Sequence, residues 1–362
     1  MLKMVSTGST NRGSSTTRLL AAVAGCALLA GCSLGGTTDA GNPAKEVVVA
    51  THDSWAMPKS VLKKFTDATG YTVKVEPNGD AGQLTNKLVL TKGSPIADVV
   101  YGIDNTFASR AVDEGVLAPY TPSDQPADVD AFELPGKGAD DLTPVDYSDV
   151  CVNVDDTWFA KHDVAEPRTL EDLTKPAYRG LFVTPGATTS SPGLAFLLTT
   201  IDAFGDRWPD YWERLLANDA KITSGWSDAY EVDFTAGGGD GDRPIVLSYA
   251  SSPPFTIPEG GDRPTTSALL DTCFRQVEYA GVLAGAENPD GAQAFVDFML
   301  GADFQKALPD NMYVYPVDGT VALPSSWADF ARTASDPYSM DPARITEHRD
   351  EWLRTWGDLV TR

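Results

Sequence analysis

Trp226 and Tyr230 stand four residues apart in the stretch Ser224–Glu231, among polar neighbours. On a helix, positions i and i+4 share one face. Two rings on one face either plug a core or wall a pocket for a flat, cationic ligand. Other aromatic residues fall in segments rich in hydroxyls: Tyr249 precedes Ser251, Ser252 and Phe255, and Tyr313 and Tyr315 flank Val314. Ser190 and Ser191 precede Pro192 at the start of an apolar run. Hydroxyls and backbone N–H groups at such a place cap a helix or cradle an anion. Catalytic groupings are poor by comparison. His52, His162 and His348 are scattered, and no Gly-x-Ser-x-Gly elbow, His-Glu-x-x-His pair or Walker A loop occurs. His52-Asp53 could be half of a general-base pair, but no nucleophile is marked beside it. The expectation is a binding protein, not an enzyme, with no cofactor and no metal.

The bulk numbers agree with a folded binder. A chain of 362 residues is comfortable for two lobes. Hydrophobic content of 42% and charged content of 22% indicate a globular body. The formal charge of −23 argues against nucleic acid, which needs a basic face, and against docking on anionic lipid through the body. It is compatible with drawing in a small cation by long-range field.

The N-terminus reads as an export signal. Lys3, Arg12 and Arg18 precede a short apolar run, Leu19–Ala30, too short for a comfortable membrane span. Leu29-Ala30-Gly31-Cys32 follows and resembles the bacterial lipobox, which implies cleavage and acylation at Cys32. Residues 33–43 read as a flexible tether. The expected location is extracytoplasmic, on the outer face of the cell membrane, held through the lipid anchor alone. Cys26 falls in the removed segment, so Cys151 and Cys273 remain. In an exported chain they suggest one disulfide, with two separate buried thiols as the alternative.

The elements that must position these residues follow an α/β rhythm. Glu46–Ala50 is a β-branched run; a helix follows with Pro58 at its first position and Gly70 as its stop. The segment from Tyr71 to Pro77 alternates as a strand, Ala81–Lys92 reads as a helix, and a buried strand ends at Gly102. Such a rhythm gives a largely parallel sheet, with ligands beyond the carboxyl ends of its strands. The loops there are Thr51–Ala56, Asn78–Gln83 and Gly102–Asn105. After an acidic loop, Ser123–Asp141, the stretch from Tyr147 to Phe159 reads as a strand leaving the first lobe. A second α/β rhythm follows, and Phe274–Ala284 is a strand that could return to the first lobe. The Gly/Asp-rich stretch Thr235–Pro244 lacks the spaced carboxylates of an EF-hand and reads as a turn. The C-terminal run from Pro342 to Trp356 is an amphipathic closing helix.

The order of short motifs carries a resemblance. Thr-x-Asp-Ser at Thr51–Ser54, Ala97–Asn105, Ser190–Leu194, Gly225–Tyr230, Val246–Pro253, Gln276–Gly281 and Tyr315–Val317 together resemble the thiamine-binding proteins of bacterial ABC importers. The likeness runs from about Val47 to Trp356, and Gly225–Tyr230 with Leu247–Pro253 is its most specific part. It implies a two-lobed periplasmic-binding-protein fold of type II: residues 44–147 with 279–318 in one lobe, 148–278 with 319–362 in the other. It implies capture of thiamine or a thiamine phosphate between the lobes by a monomer, and delivery to a permease with its ATPase subunits. Trp226, Tyr249 and Tyr313 then meet the rings, Asp80 faces the ligand, and Ser190 and Ser191 meet its hydroxyethyl or phosphate end. His52, Tyr313 and Phe255 depart from the family's usual Tyr, Trp and Tyr. A protonated His52 would disfavour a cation, so affinity could depend on pH. The resemblance makes Trp226 the wall and Tyr230 its packing support. It also places Cys151 and Cys273 on the two crossover strands. The alternatives are the same fold taking ferric ion or a polyamine, and a surface hydrolase.

Overall fold

The structure is a computed structural model, and it describes residues 45–362. The expected signal segment, the tether and Cys32 lie outside the described residues. Among the described residues no helix is long and apolar enough to cross a membrane.

The chain opens with β1 (Glu46–Thr51), α1 (Lys59–Thr69), β2 (Thr72–Pro77), α2 (Ala81–Leu90), β3 (Val99–Asp104), α3 (Ala108–Asp113) and β4 (Leu117–Ala118). β1 pairs in parallel with both β2 and β3, as the rhythm predicts. Pro58 stands at the N-cap of α1, one position earlier than expected, and Gly70 closes the helix in the left-handed region at φ 75°. β3 runs two residues past Gly102, which places Asp104 at the strand's carboxyl end.

A 13-residue strand, β5 (Thr143–Asp155), crosses the molecule. It stops before Trp158 and Phe159, which the sequence reading put in the strand; they lie in α4 (Asp156–His162), capped by the Asp155 carboxylate on the Trp158 N–H. Next come β6 (Phe182–Pro185), α5 (Ser191–Phe204), α6 (Trp208–Ala217), β7 (Lys221–Thr223), β8 (Ile245–Tyr249), β9 (Thr266–Ala268) and β10 (Phe274–Leu283). The chain ends through α7 (Pro289–Leu300), α8 (Ala302–Gln305), α9 (Leu308–Asn311), β11 (Tyr315–Pro316), α10 (Ser325–Phe330) and α11 (Pro342–Val360).

One sheet runs β2-β1-β3-β10-β5-β8-β6-β7, with β4, β9 and β11 as short additions. The antiparallel strands β10 and β5 stand at its centre, between a parallel group on each side. This is a mixed α/β fold, a sheet flanked by helices, as the resemblance implies. Val47, Val49, Phe65, Phe295 and Met299 fill the core beside β1. Phe196, Trp212, Leu215, Ile245 and Trp356 belong to the larger core, where Trp356 of α11 meets Trp212 of α6 edge to face at 5.6 Å. Cys151 and Cys273 are joined in a disulfide, with Cα atoms 4.2 Å apart. It ties β5 to the residue that enters β10.

Candidate functional site

The loops beyond β1 and β8, the N-termini of α2 and α5, the turn at Trp226, the strand β10 and the segment after α9 converge on one cavity. It is open on one side and holds about 920 Å³ including solvent at its mouth. His52, Asp80, Ser191, Trp226, Tyr249, Phe255 and Tyr313 all line it. Seven of the eight residues singled out for ligand contact therefore share one hollow. Ser190 does not line it: it is the N-cap of α5, fully buried, with its hydroxyl unpartnered.

Trp226 starts a turn that runs on as a π-helix, Asp228–Asp233, a form concentrated at functional sites. The Trp226 and Tyr230 rings stack at 5.0 Å and 12°. Tyr230 is more than packing support, because it also lines the cavity. Tyr249 tilts against Trp226 at 6.1 Å, and the indole N–H of Trp226 donates to Ser248 Oγ at 3.0 Å, which fixes the ring. Phe255 and Tyr313 pack together and remain partly open, each 37% exposed. Tyr313 sits at φ 62°, a strained conformation for an aromatic residue, held by Ser251 Oγ donating to its carbonyl. Tyr315 turns away: its ring stacks on Tyr147 and its hydroxyl donates to the Ala331 carbonyl.

Asp80 caps α2 and accepts three backbone N–H groups: Ala81 at 2.6 Å, Trp226 at 2.9 Å and Ser191 at 3.3 Å. Of the two roles open to the start of α5, helix cap or anion cradle, the Ser191 N–H is taken by the protein's own carboxylate. Burial raises the Asp80 pKa, and these hydrogen bonds oppose it. Ser191 Oγ donates to Asp104 and accepts from Gln276 Nε2. Its hydroxyl is consumed inside the protein.

His52 packs under Gly102, whose φ of 98° needs glycine, and whose added Cβ would lie 2.2 Å from His52 Cδ2. Burial lowers the His52 pKa to about 4, so the ring is neutral near pH 7. Burial thus disfavours the protonated ring that would oppose a cation. Its Nδ1 meets Ser54 Oγ at 2.8 Å.

Sequence reading missed Glu278, Gln276 and Met312, all of which line the cavity together with Ser252. Glu278 carried the one available signal: a charged residue in a strand otherwise buried and mostly apolar. Among the described residues no Lys or Arg lines the cavity, whereas Asp80, Glu231 and Glu278 do. An aromatic, acid-bearing hollow without basic side chains suits an organic cation. Among the described residues no group of three or more His, Cys, Asp or Glu is placed to hold a metal ion.

The comparisons agree with this geometry. The family profile described as bacterial extracellular solute-binding protein matches residues 51–306. The "Thiamine-binding periplasmic protein" of Escherichia coli K12 is 30% identical over 322 residues, 87% of this chain and 94% of that one. Among solved structures, a "Periplasmic thiamin binding protein" superimposes with a TM-score of 0.76 at 29% identity, over 88% of this chain and 96% of that one. Iron-bound HitA from Pseudomonas aeruginosa shares the fold, with a TM-score of 0.68 at 23% identity over 87% of this chain and 99% of that one.

Proposed function

The chain belongs to the bacterial extracellular solute-binding proteins, and from that premise we propose that its cavity captures thiamine. It is the extracytoplasmic, non-catalytic binding component of an ABC importer, which hands its ligand to a permease driven by ATPase subunits. The carrying observation is the cavity's lining: rings of Trp226, Tyr230, Tyr249, Phe255 and Tyr313 with buried acids and no basic group. Thiamine has a fixed positive charge on one aromatic ring and hydrogen-bonding edges on the other. Each good ring contact with such a cation contributes roughly 0.5–2 kcal/mol.

The same lining disfavours thiamine phosphates, since the Asp80 carboxylate already occupies the Ser191 N–H at the start of α5 and would repel a phosphate there. A ferric site would favour a closely spaced Tyr pair with carboxylate or His ligands, and Tyr313 with Tyr315 is the nearest such pair, but Tyr315 is committed to Tyr147 and Ala331. Capture proceeds by closure of two lobes about β5 and β10, 44–147 with 279–318 moving against 148–278 with 319–362. The protein works as a monomer, held to the membrane by an acylated Cys32. A Cys32→Ser form should leave the membrane fraction.

Calorimetric titration with thiamine, its mono- and diphosphates, ferric citrate and spermidine tests the ligand. Thiamine is expected to bind most tightly. Trp226→Ala should weaken it tenfold or more, about 1.4 kcal/mol per decade. Unchanged affinity in that variant would remove Trp226 from the site, and tighter binding of ferric citrate would overturn the ligand.

A further inference from the structure

Glu278 lines the cavity from the middle of β10 and is only 7% exposed. The titratable groups that face it are acids, tyrosines and the neutral His52 ring. Asp146 on β5 and Asp104 on β3 are its partners across the two neighbouring strands. Asp80 adds a further charge from the cap of α2, and Tyr249 stands nearby on β8. The Tyr101 hydroxyl donates to Asp146 Oδ2 at 2.6 Å and reaches Glu278 Oε2 at 3.4 Å. His52 Nε2 stands 3.6 Å from Glu278 Oε1. That nitrogen is buried without a hydrogen-bond partner, and so is Asp146 Oδ1. Among the described residues no Lys or Arg forms an ion pair with Glu278, Asp146, Asp104 or Asp80.

Two carboxyl groups side by side in a dry site cannot both be ionised without a compensating positive charge. Glu278 and Asp146 stand directly opposite each other in the register of β10 and β5, and the Tyr101 hydroxyl reaches both, so one proton can serve the pair. Burial first, and then the Asp146 charge, holds Glu278 well above the ordinary carboxylate range. Among the described residues no Lys or Arg supplies the missing cation, but the cavity can admit one.

We propose that Glu278 selects a cationic ligand by giving up this shared proton as the cation enters, so that a carboxylate then faces the positive ring. The carboxyl O–H bond breaks, its electron pair stays on oxygen, and the proton passes to solvent. With Ser54 donating to Nδ1, the neutral His52 ring presents its Nε2–H to the new carboxylate. This inference rests on the thiamine reading and adds to it a coupling between capture and pH. Affinity rises with pH through the range in which the pair loses its proton, by up to about tenfold per pH unit for one proton released.

The test is calorimetric titration of thiamine in two buffers of different ionisation enthalpy, on the wild type, Glu278→Gln and Asp146→Asn. Release of close to one proton per thiamine by the wild type is expected. In Glu278→Gln the release and the pH slope should vanish, and affinity at alkaline pH should drop tenfold or more. Infrared spectra of the unliganded wild type should show a protonated carboxyl band that thiamine abolishes, a readout that needs no variant to fold. Thiamine binding without proton release, release that persists in Glu278→Gln, or absence of that band overturns the inference and leaves the thiamine reading standing. Failure of thiamine to bind at all overturns both.

Discussion

The Asp80 carboxylate accepts the backbone N–H of Trp226 at 2.9 Å across 146 residues of sequence. It makes a residue of the first parallel group the anchor of the aromatic wall. Its other oxygen serves Ala81 and Ser191. Asp80→Asn keeps the shape but offers one acceptor oxygen in place of two, and turns an amide group toward an N–H. Hydrogen bonds to a charged group contribute about 1.5–3 kcal/mol each, so a loss of about 2–4 kcal/mol in unfolding free energy is expected. Ligand affinity should fall with it, because Trp226 loses its seat. Denaturant unfolding and calorimetry on one preparation check both; a stable variant with intact affinity would show that other contacts hold the wall.

His52 makes acid stability depend on one ring. Burial sets its pKa at about 4 against the ordinary 6.5. Above 6.5 the ring is neutral in both folded and unfolded chains, and nothing is lost. As pH falls from 6.5 to 4 the unfolded chain takes up a proton that the folded chain refuses, so stability drains across that window. The separation corresponds to on the order of 3 kcal/mol. Asp104, raised to about 6 by burial, works in the opposite sense, losing stability as pH rises from the ordinary carboxylate range through 6. His52→Gln should remove the acid-side loss alone. Urea unfolding at several pH values should show the wild type losing stability relative to the variant as pH falls from 6.5 to 4; parallel curves would mean that the ring is solvated.

The disulfide acts on the unfolded chain. Cys151 and Cys273 lie 122 residues apart and are both buried. Closing a loop of that length contributes a nominal 4–5 kcal/mol or so in the chain-entropy account. The double variant Cys151→Ser, Cys273→Ser should lose about 2–5 kcal/mol of stability. Wild-type protein unfolded without reductant should gain no mass on alkylation. Gain of two alkyl groups would show free thiols.

What the sequence disclosed and what it hid differ by range. The parallel β1-β2-β3 group was legible because strand and helix periods alternate locally, with Gly70 marking a stop. The strands β4, β9 and β11, of two or three residues, carry no period to read. Trp226, Tyr249 and Tyr313 stood out as aromatics amid polar loop residues. Asp80 was visible as an acid in a loop, but its three N–H partners depend on Ser191 and Trp226 arriving from more than a hundred residues away. Glu278, Asp146 and Tyr101 meet only through the registers of β10, β5 and β3. No local pattern specifies a register between distant strands.

Gly82 offers the sharpest test of how the cavity is assembled. It lies in the first turn of α2, two residues after Asp80, with ordinary helical backbone. An added Cβ would meet the Thr189 carbonyl carbon at 2.6 Å and its oxygen at 2.7 Å, with Phe107 at 2.8 Å. Two of these three atoms are backbone, so the clash cannot be relieved by a rotamer change. Here the Gln83 N–H also donates to the Thr189 carbonyl at 3.1 Å, which draws α2 onto the turn before α5. Propensity alone would make Gly82→Ala stabilising by up to about 1 kcal/mol. Contact should reverse that sign. The variant should push Thr189 from α2, stretch the bond between Asp80 and Ser191, and weaken ligand binding tenfold or more while altering no cavity-lining group. Overpacking of this kind destabilises by about 1–3 kcal/mol. Calorimetry and denaturant unfolding of Gly82→Ala decide between the two signs: a variant more stable than wild type, with full affinity, would mean that α2 and the Thr189 turn need not touch for the site to form.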